Sequence, residues 1–176
     1  MAAPPRSETW LGLSARSKPL VQAGAVLGVG LGGFFDGIVL HQLLQWHHML
    51  SARTDTTDLA TLRLNVLADG LFHVATYAFT VVGIVLIVRA WRHPYVPPSG
   101  RTLLGSVLMG WGIFNLVEGL VNHHLLELHH VWPDGPASTL VFDVAFLLSG
   151  VLLLALGYGI ARSHSDAAGS TRSEAA

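Results

Sequence analysis

Two strings carry most of the polar chemistry of this 176-residue chain. Asp36–Met49 reads DGIVLHQLLQWHHM and Glu118–Val131 reads EGLVNHHLLELHHV. Displaced by 82 positions, they agree at seven of fourteen places, three of them histidines, and Asp36 aligns with Glu118. Neutral imidazole is the commonest metal ligand, and a carboxylate beside it completes the shell or fixes its tautomer. The chain has ten His and no Cys, which excludes thiolate sites, Cys nucleophiles and disulfides. Met1, Met49 and Met109 are too few for a thioether cage, so the donors suit one or two ions of Cu(II), Fe or Zn.

On a helix turning about 100° per residue, His41, Gln45 and His48 share one face, and so do His123, Glu127 and His130. Asp36 with His47, and Glu118 with His129, share a second face. Asp69 and His73 stand four residues apart, and Asp143 begins the last apolar run. The expected metal ligands are His41, His48, His73, His123 and His130, followed by His47, His124, His129 and Glu127. Glu127 and His130 also have the Glu-x-x-His spacing of di-iron bundles. Asp36, Glu118, Asp69, Asp143 and Gln45 are expected as further ligands or as acceptors that orient the imidazoles. His47, His48, His129 and His130 fall near helix ends, where solvation alone would satisfy them.

Four apolar runs must position these groups: Leu20–Leu44, Leu64–Val88, Leu103–Leu126 and Leu140–Ile160. Each has the roughly 20 residues a helix needs to cross hydrocarbon. Hydrophobic residues are 51% and charged residues 12%, against about 25% charged in an average globular chain. The net charge of -1 gives no nucleic-acid-binding patch. The expected fold is an all-α, four-helix transmembrane bundle of two tandem hairpins, residues 20–92 and 101–162. A pseudo-twofold axis along the membrane normal would relate them. Residues 1–18 and 163–176 read as disordered cytoplasmic tails around a membrane domain at 19–162. Pro4, Pro5, Glu8, Arg16 and Lys18 ahead of the first run argue against a signal peptide.

Arg6, Arg16, Lys18, Arg89, Arg92, Arg101, Arg162 and Arg172 fall on one side, and only Arg53 and Arg63 on the other. That count places both termini in the cytoplasm. Eight His then lie in the outward half, and only His93 and His164 on the cytoplasmic side. Asp36 and Glu118 lie roughly 18 Å below the last His of their strings, which predicts a polar column from surface to mid-membrane. Gly24, Gly28 and Gly32 predict close helix packing, and Trp46, Trp91, Trp111 and Trp132 an aromatic belt.

A carboxylate in mid-membrane marks a site or pathway. A metal centre explains the grouping of eight His best. Haem needs only two of them. A proton relay and a polar network that locks the helices are the other readings. Metal handling and a membrane oxidoreductase with a dinuclear centre remain the two functional classes. The second needs an open coordination position and an apolar pocket.

The strings FFDGIVLHQLLQWHHML, NVLADGLFH and FNLVEGLVNHHLLELHHVW resemble a bacterial membrane family catalogued as a domain of unknown function. The resemblance covers residues 25–160. It implies a four-span protein of the bacterial inner membrane, and association with assembly factors of respiratory haem-copper oxidases, which suits copper handling. Similarity to membrane di-iron desaturases is weaker, because their His boxes have other spacings and lie on the cytoplasmic side. The expected partner is the lipid bilayer; a homo-oligomer stays open.

Overall fold

The computed structural model describes residues 9–54 and 57–173, with side chains as far as Arg162. A hairpin of β1 (Thr9–Trp10) and β2 (Leu13–Ser14) leads through a 3-10 turn, Ala15–Ser17, into α1 (Lys18–Phe35). The helix then widens into a π-helical segment, Asp36–Leu43. A long loop precedes α2 (Leu59–Arg92). Helix α3 (Gly100–Glu118) likewise widens over Gly119–Leu125, and α4 (Thr139–Ser173) closes the fold.

The ends of these helices have local causes. Asp58 caps α2 by accepting from the Ala60 and Thr61 amides at 3.0 and 3.2 Å. His93, extended ahead of Pro94, ends it. Ser99 caps α3 through the Thr102 amide at 3.1 Å. The amino-terminal segment departs from the expected tail. From Thr9 it forms the hairpin, turned by Leu11 and Gly12 at φ 52° and 70°, and buries Leu13 against Val21 and Ala161. The backbone of residues 163–173 continues α4 where a tail was expected; residues 1–8 and 174–176 lie outside the described part.

Helices α1 and α3 form the central pair, with α2 packed on α1 and α4 on α3. The predicted glycine stripe is the central contact. Gly24 faces Ser106, Gly28 faces Val107 and Gly110, and Gly32 faces Trp111 and Phe114. A Cβ at Gly28 would run into the Val107 carbonyl, and one at Gly110 into that of Ala25. Backbones approach so closely only where side chains are missing. Trp111 therefore belongs to mid-helix packing, beside Phe35 at 5.2 Å, and not to an interfacial belt.

The outer helices are inside out. On α2 the buried positions include Asn65, Asp69, Thr76 and Gly83, while Leu67, Leu71, Val74 and Val82 are exposed. On α4 Leu148, Val151 and Leu152 are exposed. A polar interior with an apolar exterior suits lipid, where the outer face gains nothing from burial against protein. Among the described residues, four helices are long and apolar enough to span, at Ala15–Leu43, Leu59–Arg92, Gly100–Leu125 and Thr139–Arg162.

Replacing Gly28 with Leu should separate α1 from α3 and cost about 2–3 kcal/mol. Thermal unfolding in detergent checks this, with Gly159→Leu, which meets open space, expected to be near neutral.

Candidate metal centre

Both polar strings end their helices in the same way. The Leu44 amide donates to Val39 O at 2.8 Å and Trp46 N to Leu40 O at 3.0 Å. In the second string Leu126 N donates to Val121 O at 2.7 Å and Leu128 N to Asn122 O at 2.8 Å. Gln45 and Glu127, the residues between, sit at φ 51° and 45°. A non-glycine residue there costs on the order of 1–3 kcal/mol and is typical of functional sites. Each left-handed residue reverses the chain, so the following His–His pair folds back under its own helix.

The reversal decides which imidazoles enter. His41 and His123, still helical, point into the bundle, and His47 and His129 return to meet them; these side chains are at most 3% exposed. The His47 and His129 rings stack in parallel at 4.5 Å, and His41 lies 4.5 Å from His47 and 5.6 Å from His129. His123 lies 5.0 Å from His129.

The Nδ1 atoms face outward. His47 Nδ1 donates to Val131 O at 2.7 Å and His129 Nδ1 to Met49 O at 3.1 Å. His41 Nδ1 lies 2.9 Å from Asp69 Oδ1, and His123 Nδ1 3.4 Å from Asp143 Oδ1. The Nε2 atoms converge on the two carboxylates. His41 Nε2 is 3.1 Å from Asp36 Oδ2, and His123 Nε2 is 3.1 Å from Glu118 Oε2. His129 Nε2 is 2.8 Å from Glu118 Oε1. An imidazole anchored through Nδ1, with Nε2 free to ligate, is the usual arrangement around a metal.

Two groups have donor atoms within 4.8 Å of one another: His41, His47 and His129, and Glu118, His123 and His129. Asp36 Oδ2, Glu118 Oε2, His41 Nε2, His47 Nε2 and both His123 nitrogens are buried without a properly aligned hydrogen bond. Every such atom among the described residues belongs to this cluster. Burial beside His129 and His41 pushes the His47 imidazole well below its ordinary range, which keeps it neutral.

The first-choice ligands fare unequally. His41 and His123 are central, but His48 and His130 stand one step outward. Their Nδ1 atoms bond Asp69 Oδ2 and Asp143 Oδ2, both at 2.7 Å. His73 spends its Nδ1 on the Asp69 carbonyl of its own helix at 2.7 Å and lies beside Phe34 and Phe72. Gln45, His124 and Glu127 are exposed, and Glu127 faces Arg53 at 3.9 Å. The Glu-x-x-His spacing fails because the helix has already ended at Leu125. His47 and His129, expected near the surface, are inside for the same reason. The column becomes a compact cluster.

Residues 23–164 match the family described as "Predicted membrane protein (DUF2243)". The chain belongs to this family. Neither the curated proteins nor the solved structures give a match. The stretch shared with DUF2243 includes every side chain of the cluster.

Asp69 and Asp143 hold the centre in place. Asp69 accepts from His41, His48 and the Met49 amide, the last at 2.8 Å. Asp143 accepts from His130 and the Val131 amide at 3.0 Å. Phe72 stacks on His41 at 5.6 Å, and Phe146 lies 5.3 Å from His123. The shared D-x-x-F of Asp69–Phe72 and Asp143–Phe146, displaced by 74 positions, was the available sequence signal. Asn65 had none. Fully buried, it ties Leu50 N, Thr54 Oγ1 and Thr61 O together at 3.0, 2.7 and 3.1 Å.

Asp69→Ala strands three donors, each worth about 1–3 kcal/mol when buried and unpaired. The expected loss is about 3 kcal/mol or more in detergent unfolding, and roughly half that for Asp69→Asn, which keeps one acceptor oxygen.

Proposed function

We propose that this membrane protein binds a transition-metal ion within the imidazole cluster of His41, His47, His123 and His129, with Asp36 and Glu118 as carboxylate partners. The observation that carries the reading is the set of buried, convergent and unpaired donor atoms in one cluster. An orphaned buried polar group costs about 1–3 kcal/mol. A divalent cation would satisfy those that face it and offset the two carboxylates; His123 Nδ1 faces Asp143 instead. Nitrogen-rich, thiolate-free donors suit Cu(II), Zn or Fe.

One ion is favoured over two. The two donor groups share His129, and its Nδ1 is committed to Met49 O. A single Nε2 lone pair serves one ion, which weakens the dinuclear oxidoreductase reading. Haem is disfavoured because the four rings, 4.5–6.4 Å apart, fill the space a macrocycle would need.

The matched contacts of the two strings support reading the hairpins as a duplicated unit. The distribution of Lys and Arg supports a bacterial inner membrane with both termini cytoplasmic and the centre toward the outer face. In that orientation, metal handling outside the cytoplasm, and copper handling for respiratory oxidase assembly in particular, is the function we favour.

Metal analysis of the detergent-purified protein should find one equivalent of Cu, Zn or Fe. The His41→Ala/His129→Ala double variant should lose it, and His124→Ala and Glu127→Ala should keep it. Retention of full metal by the double variant overturns the assignment.

A further inference from the structure

The two sides of the centre differ by one methylene. Glu118 reaches two imidazoles, His129 Nε2 at 2.8 Å and His123 Nε2 at 3.1 Å. Asp36 stands in the matching place and reaches His41 Nε2 at 3.1 Å. The counterpart of His129 is His47, and its Nε2, 3% exposed as a residue, has no hydrogen-bond partner. Asp36 Oδ2 is also left without an aligned donor. The shorter side chain leaves His47 Nε2 unreached where the longer one reaches His129, a gap in the contacts of that side.

We propose that this gap is an open coordination position for a small protic oxygen ligand, water or hydroxide. It would bind an ion held by His41, His47 and His129 and donate its proton to Asp36 Oδ2. The proposal rests on the metal reading above. Three protein ligands with a vacant fourth position distinguish a reactive metal from a closed structural one. A metal-bound water has a proton to donate, and Asp36 is the unpaired buried acceptor on that side. An aprotic anion at the same place would meet the Asp36 carboxylate and bind weakly. Glu118 fills the corresponding space, so the second side offers no such vacancy.

The test uses the full chain in detergent, loaded with Cu(II), the divalent ion that nitrogen sites hold most tightly. Pulsed EPR in D2O should show a strongly coupled exchangeable deuteron from coordinated water. Asp36→Glu should lose that deuteron, because the added methylene brings a carboxylate into the gap. Glu118→Asp should keep it. Azide, followed by its charge-transfer band, should bind the wild-type protein and bind Asp36→Asn at least about tenfold more tightly, since one negative charge is removed within a few ångströms. Glu118→Gln should raise azide affinity less than Asp36→Asn does, because Asp36 borders the proposed position. The Asn variant carries the test if the Glu variant does not fold. Bound copper with no exchangeable deuteron, or equal azide responses at positions 36 and 118, overturns this inference and leaves the metal reading standing. Absence of bound copper by metal analysis overturns both.

Discussion

Asp36 and Glu118 are carboxylates enclosed between membrane-spanning helices, 2% and 4% exposed. A charge in that position costs at least a few kcal/mol unless something compensates it. Part of the compensation here is local. Imidazole Nε2 atoms surround the carboxylates, and the Nδ1 atoms are tied to Asp69, Asp143 or backbone carbonyls. This chain of dependence sets the helix pattern. Helices α2 and α4 must turn Asp69 and Asp143 inward, so their leucines and valines face out. Helices α1 and α3 bring Asp36 and Glu118 to one cluster, and glycines on their shared face let the backbones approach.

Much of this was legible in the residues. Length and hydropathy identify four spans because lipid imposes one helix length. The glycine period gives the α1–α3 contact because small residues at that spacing let two helices approach closely in lipid. The repeated strings locate the site to within a few residues. His41, His123, Asp36 and Glu118 follow from the helical wheel, since the chain is still helical there.

The rest depends on where the helix stops. A wheel assigns His48 and His130 to the inward face only if the helix continues past Leu43 and Leu125, and it does not. Gln45 and Glu127 carry no sequence mark of a left-handed conformation; a glycine would have announced it. On an unbroken helix His129 would lie about 16 Å from Glu118, whereas the reversed chain brings them to 2.8 Å. One dihedral angle per half therefore exchanges the ligands that the pattern favours for those it places at the surface. Asp69 and Asp143 escaped a single alignment because their offset is 74 and that of the strings 82. The loop before α4 is only slightly shorter than the one before α2; most of the difference arises because Asp143 lies nearer the start of its helix than Asp69 does.

The reversal also binds the halves to each other. His47 donates to Val131 O of the second string, and His129 donates to Met49 O of the first. Ala52 N bonds Leu128 O at 3.0 Å, and Trp46 stacks on Trp132 at 4.3 Å with planes 1° apart. Arg53 Nε donates to Leu126 O at 3.2 Å, the carbonyl that ends the widened extension of α3. Each half thus supplies the acceptor that orients an imidazole of the other. A hairpin alone would hold its helical histidine and its carboxylate but leave its returning histidine without an anchor. The four-imidazole cluster is therefore a property of the pair. A molecule with two copies of nearly the same polar string consequently has one centre at their junction, not one in each half.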